Sequence, residues 1–193
     1  MSRPSADPPD RRPGKAAGLE TGGLAAAMRR ARRPPEFTGH LTRERKQNMP
    51  DIPEIPPELS VNCERIAYRG EGVQIYQCTP DGRWAFQSPR ASLYDDNGDL
   101  AAEHFAGPTW QAADGSTVVG RKIAESTPDD TAIPWLLLEA ASNTGDGVFG
   151  PVKYIQRLAT TGGKAPSESC HGPALAEVPY TALYVFYALR RNI

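Results

Sequence analysis

Val73-Gln74-Ile75-Tyr76-Gln77-Cys78-Thr79-Pro80-Asp81-Gly82-Arg83-Trp84-Ala85-Phe86-Gln87 alternates in side-chain character, breaks at Thr79-Pro80-Asp81-Gly82 and alternates again. Neighbouring side chains of a strand point to opposite faces, so this period of two predicts a strand on each side of the break. Asp81-Gly82 supplies the positive-φ corner of a tight hairpin turn. The pair is therefore an antiparallel hairpin.

The same pattern repeats downstream. Residues 91–94 form a short strand ending at Asp95-Asp96-Asn97-Gly98, and residues 100–105 return from that turn. Thr109-Trp110-Gln111 and residues 117–122 flank Asp114-Gly115, a third hairpin corner. Trp135-Leu136-Leu137-Leu138, after Pro134, is apolar throughout, as expected of a strand covered on both faces. Residues 143–150 are a Gly-rich loop. Residues 152–159 alternate, with Val152, Tyr154 and Leu158 predicted on one side and Lys153 and Arg157 on the other. Residues 180–189 read as a last strand, apolar on both faces. No stretch beyond residue 61 has helical spacing. Roughly eight strands joined by sequential hairpins predict an all-β, antiparallel, up-and-down barrel occupying residues 58–193 as one domain. A two-sheet β-sandwich is the alternative.

Upstream, the composition changes. Ten of the 19 Pro fall in residues 1–57, and of 15 aromatic residues only Phe37 precedes residue 58. Such a segment buries too little apolar surface to offset its ordering entropy, so residues 1–57 are expected to be a disordered tail. Residues 1–48 hold 11 Lys/Arg against 5 Asp/Glu, which leaves 11 basic and 18 acidic residues for the remainder. The tail is basic and the domain acidic. An acidic domain repels phosphate backbones, so no nucleic-acid partner is expected for it. Glu44-Arg45 can be encoded by a purine run like a bacterial ribosome-binding site, which makes Met49 an alternative start.

No apolar run is long enough for a membrane span. Residues 24–28 are apolar but short, and Arg29-Arg30-Ala31-Arg32-Arg33 follows them instead of preceding them, the reverse of a secretory signal. As written, the chain is expected to be cytoplasmic.

Several segments, in order, resemble a bacterial and fungal family known as domain-of-unknown-function family 3455 (DUF3455). They include Gly72-Val73-Gln74-Ile75-Tyr76-Gln77-Cys78, Trp84-Ala85-Phe86 and His104-Phe105-Ala106-Gly107-Pro108-Thr109-Trp110-Gln111. Asp114-Gly115-Ser116-Thr117-Val118, Ile133-Pro134-Trp135-Leu136-Leu137-Leu138, Val152-Lys153-Tyr154-Ile155-Gln156-Arg157 and Pro179-Tyr180-Thr181-Ala182 continue the series, which also takes in Pro89, Ala91-Ser92-Leu93-Tyr94, Thr161-Gly162-Gly163 and Cys170. The resemblance implies a shared β fold and no particular activity. Many relatives look exported, which stands against the cytoplasmic expectation. Some fungal relatives carry a dehydrogenase label, but no Gly-x-Gly-x-x-Gly here follows a strand and opens a helix. Cys78 and Cys170, both within the resemblance, are the candidate disulfide pair, which would leave Cys63 odd. Three reduced, mostly buried thiols are the alternative, favoured by a reducing compartment.

Candidate chemistry is sparse. His104, Asp114 and Ser116 supply the residue types of a hydrolytic triad, which needs the imidazole between hydroxyl and carboxylate. Asp114-Gly115-Ser116 reads more simply as a turn in which both side chains cap backbone N–H groups. Cys170 and His171 are adjacent, and in extended chain they face opposite ways. Two His and three Cys beyond the tail, without metal-ligand spacing, predict no metal, and no cofactor motif is present. Thr160-Thr161-Gly162-Gly163-Lys164 lacks the phosphate-loop pattern.

An eight-stranded barrel is just wide enough for one small ligand. His104, Trp110, Asp114, Trp135 and Arg157 are the candidate ligand-binding residues, as an apolar wall with a few oriented polar groups. Gln156 and Arg157 cannot share one face of a regular strand, so at most one of them belongs. The leading expectation is a non-catalytic β-barrel domain that binds a small molecule or a protein partner. The alternative is a hydrolase or metal-assisted enzyme centred on His104 and Asp114. A third possibility is an interaction domain that uses the 143–150 loop.

Overall fold

A computed structural model describes residues 52–57 and 63–190. Their eight strands are β1 (Cys63–Cys78), β2 (Trp84–Tyr94), β3 (Leu100–Phe105), β4 (Thr109–Ala112), β5 (Thr117–Ser126), β6 (Trp135–Thr144), β7 (Val152–Gly162) and β8 (Leu175–Leu189). Each pairs antiparallel with its neighbour in sequence, and β8 pairs back onto β1, closing an up-and-down barrel. Closure leaves no unpaired edge, and this accounts for a β domain built from sequential hairpins alone. Gly82, Gly98 and Gly115 occupy the predicted hairpin corners with φ of 76°, 87° and 84°. The expected disordered tail and the Met49 start lie outside the described residues, apart from 52–57.

Connections alternate between two ends. The β1–β2, β3–β4, β5–β6 and β7–β8 links form the upper end, and β2–β3, β4–β5 and β6–β7 the lower. Cys78 and Cys170 are joined by a disulfide that ties the long β7–β8 connection to the β1–β2 turn. Cys170 N–H to Gly82 O at 3.0 Å and Trp84 Nε1–H to Glu168 O at 3.1 Å hold the same contact. Cys63 is unpaired.

Inward positions follow the strand period except where bulges reset it. β1 directs Tyr68, Gly70, Gln74 and Tyr76 inward, and β8 directs Tyr180, Ala182, Tyr184, Phe186 and Ala188. On β7 a register shift between Val152 and Tyr154 separates two residues expected on one face: Val152 joins the core, whereas Tyr154 is only half-buried. Arg157 faces inward and Gln156 outward. Leu137, Gln156 and Tyr187 are buried on the outer face of β6–β8. Pro53, itself buried, docks there, and its carbonyl accepts from Gln156 Nε2 at 2.5 Å. Tyr187 Oη donates to Gln156 Oε1 at 2.6 Å. That covering explains why the central strands read as apolar on both faces.

Candidate functional site

The lower half of the barrel is filled by Leu93, Val118, Phe149, Val152 and Phe186, all without exposure to solvent. The upper half is not. There a cavity of about 160 Å³ lies inside the barrel, and its floor is Trp110 and Tyr184. Both rings depend on missing side chains opposite. A Cβ at Gly120 would stand 3.0 Å from Trp110 Cζ3, and one at Gly70 would stand 2.6 Å from Tyr184 Cε2.

The mouth follows from strand length. β3 and β4 are six and four residues long, against eleven for β2 and ten for β5. Pairing of β2 with β3 begins at Ala91–His104, so the first half of β2 rises past the hairpin, as does the end of β5. The exposed residues lining the cavity, Phe86, Gln87, Gly107, Pro108 and Lys122, come from these places.

His104 is 3% exposed and lies flat on Trp110, with centroids 4.2 Å apart and planes at 4°. Its Nδ1 is 2.9 Å from Thr109 O. A carbonyl can only accept, so Nδ1 carries the proton and Nε2 keeps its lone pair. Burial pulls the imidazole down to about 4, against the support of that carbonyl, and the Arg157 charge pulls the same way. His104 is neutral at physiological pH.

Arg157 enters the cavity from β7, half-buried. Its Nε and Nη2 donate to Pro134 O at 3.1 and 2.8 Å, which fixes the guanidinium, and it also lies against the Tyr184 hydroxyl, whose phenolate form it favours against burial. The ion pairs of the described residues do not include Arg157. Lys122, at the mouth, is neutralised by Glu125 at 2.6 Å.

Two further donors stand idle. Gln74 Nε2 and Trp110 Nε1 are buried without a hydrogen-bond partner, in residues that are 3% and 1% exposed. The Gln74 amide is close enough to Tyr180 to lower its phenol slightly, yet it falls short of hydrogen-bond geometry. Burial raises Tyr180 and Tyr184, whose hydroxyls bond each other at 2.9 Å, so both are neutral.

Of the residues singled out by sequence, His104, Trp110 and Arg157 meet in this cavity. Asp114 and Trp135 do not. Trp135 precedes inward-facing Leu136 and so projects outward, half-buried. Asp114 sits in the β4–β5 turn at the lower end. It accepts from Ser116 N–H, Ser116 Oγ and Val148 N–H at 2.8, 2.6 and 2.7 Å. These bonds, the Ser116 hydroxyl foremost, hold its carboxyl below the usual range. Ser116 Oγ in turn accepts from Phe149 N–H at 3.0 Å. Asp114 and Ser116 thus bond each other directly and anchor the β6–β7 loop, with no imidazole between them.

Gln74, Tyr184 and Leu138 complete the cavity and were not among the candidates. Gln74 had a readable signal: hairpin parity places it on the face of Tyr76, a polar residue in an aromatic row. Among the described residues, no three His, Cys, Asp or Glu side chains group as metal ligands, and no helix is long and apolar enough to cross a membrane.

Fold and site together define a closed, eight-stranded antiparallel barrel with a small polar-studded chamber under its upper rim. Residues 60–188 match the family described as protein of unknown function (DUF3455), and the chain belongs to that family. No curated protein and no solved structure matches the chain.

Proposed function

We propose that this domain is a non-catalytic binding module that receives one small molecule in the upper chamber of the barrel. The observation behind this reading is the contrast at the Trp110 floor: tight apolar packing below, and above it a cavity whose lining includes Gln74, His104 and Arg157 among apolar residues. Each idle buried donor costs roughly 1–3 kcal/mol, a penalty that a ligand with matching acceptors removes. Apolar walls with few, fixed polar groups are the usual make-up of a small-molecule site.

The geometry favours catalysis less. A general base works best with a pKa near the working pH, and His104 lies far below it. Asp114 is committed to a turn at the other end of β4.

Native mass spectrometry of the protein from its own host tests the reading. Excess mass lost on denaturation is the expected result. Filling the chamber with Leu136→Trp should abolish that excess while the melting temperature holds. Retention of the adduct in a folded Leu136→Trp protein would place the ligand elsewhere and defeat the proposal.

A further inference from the structure

We infer that the chamber selects a small monocarboxylate, whose carboxyl group is received by Arg157 with Gln74 Nε2 and Trp110 Nε1 as flanking donors. This rests on the small-molecule reading above and adds the chemistry of the ligand to it.

Charge carries the inference first. A half-buried cation ordinarily has a carboxylate beside it, because removing an ion from water is costly unless it is paired. Arg157 has the Pro134 carbonyl and the neutral Tyr184 hydroxyl beside it, which orient the guanidinium without neutralising it. The open part of a guanidinium is a planar fork of parallel N–H bonds, which matches the two oxygens of a carboxylate. The surrounding groups do not supply that charge: His104, Tyr180 and Tyr184 are neutral, and Lys122 already has Glu125. The chamber therefore holds one uncompensated positive charge, which calls for one negative charge. A dianion such as a phosphate monoester would bring in an excess.

The idle donors agree. Gln74 and Trp110 each present a buried N–H with no acceptor. Carboxylate oxygens offer about four lone-pair sites, enough for the Arg157 fork and both flanking donors. The acceptors on the same walls, Gln74 Oε1 and His104 Nε2, carry no formal charge to oppose the anion. Size and polarity set the remainder of the molecule. The cavity of about 160 Å³ is roughly five times a water's share of liquid volume, room for a small organic molecule. Leu136, Leu138 and the stacked His104–Trp110 pair form apolar or flat walls. A single ring or a short branched chain bearing one carboxylate fits.

The test uses the full-length protein and Trp fluorescence titration. Benzoate, phenylacetate and isovalerate are compared with their neutral amides, and phenyl phosphate serves as the dianion. The expected result is at least ~10-fold tighter binding of the acids than of their amides and of phenyl phosphate, the usual range for a charge-assisted contact. Arg157→Gln should erase the preference for acids over amides. Gln74→Met should reduce acid affinity by a smaller factor and serves as the second variant if Arg157→Gln does not fold. Amides that bind as well as acids would overturn the carboxylate while leaving the small-molecule reading intact. Tighter binding of phenyl phosphate would overturn the monoanion. No response to either set at millimolar concentration, in protein that carries no adduct from its host, would remove both readings.

Discussion

The two halves of the barrel are made by the same eight strands, and only one of them is filled. Below Trp110, Phe149 and Phe186 lie with ring centroids 4.5 Å apart, and Tyr68 packs on both. Above it large side chains have polar ends: Tyr76 bonds Gly163 O at 2.7 Å and Tyr180 bonds Tyr184, while Gln74 and Arg157 line a void. Interiors close-pack because each void forfeits dispersion contacts. A void lined in part by polar side chains in one half, beside dense packing in the other, separates a part that holds the fold from a part held by it.

The largest expected effect tests that separation directly. Phe186→Ala removes a ring from the filled half and should cost about 3–5 kcal/mol in urea unfolding. Leu136→Ala, on a half-buried wall beside existing empty space, should cost only about 1 kcal/mol, because little new cavity is created. Equal losses would mean that the two halves are packed alike.

Acid sharpens the comparison from within the upper half. His104 titrates near 6.5 when unfolded and near 4 when folded, so between those values the unfolded state binds the extra proton. Its contribution is complete above about pH 6.5 and is lost as pH falls to about 4, a change of ~3 kcal/mol from the two pKa values. Asp81, Asp95, Asp114 and Asp129 are held low by local hydrogen bonds and also lose stability as pH falls, over a more acidic range. Comparison of the wild type with His104→Phe, which keeps a ring on Trp110, isolates the imidazole. The variant should be flatter between pH 4 and 6.5. Parallel curves would mean that His104 is solvated and the chamber wetter than its burial indicates.

The fold was readable from sequence because its signals are local. Asp81-Gly82, Asn97-Gly98 and Asp114-Gly115 fix three corners, and period-two alternation fixes the strands between them. Closure is less local: eight hairpin-linked strands suit a barrel or a two-sheet sandwich, and the long-range pairing of β1 with β8 decides between them. The candidate site was readable only in part. His104 and Trp110 lie on neighbouring strands of one hairpin, so their meeting is nearly local. Arg157 reaches them only after register shifts on β7 set its face, and such shifts leave little trace in alternation. Asp114 misled because a turn-capping carboxylate and a catalytic one look the same without their partners. Trp135 misled because the outer face of β6–β8 is covered, so an apolar side chain there does not have to point inward. The signal for Arg157 is an absence, the missing carboxylate, and only coordinates reveal an absence.

The smallest expected effect is the most discriminating. Gln74→Met keeps length and flexibility while removing the donor that has no acceptor. If the upper half is a site, the amide is retained for a ligand, and its loss should raise stability by about 1 kcal/mol in ligand-free protein. The same variant should bind more weakly to whatever fills the chamber, so stability and binding move in opposite directions. If Gln74→Met instead lowers the urea midpoint by a comparable amount, the amide is supporting the Tyr180 hydroxyl. The upper half would then be a polar core and not a site. Phe186→Ala cannot make this distinction, because truncating a filled half destabilises the barrel whether or not the other half binds anything.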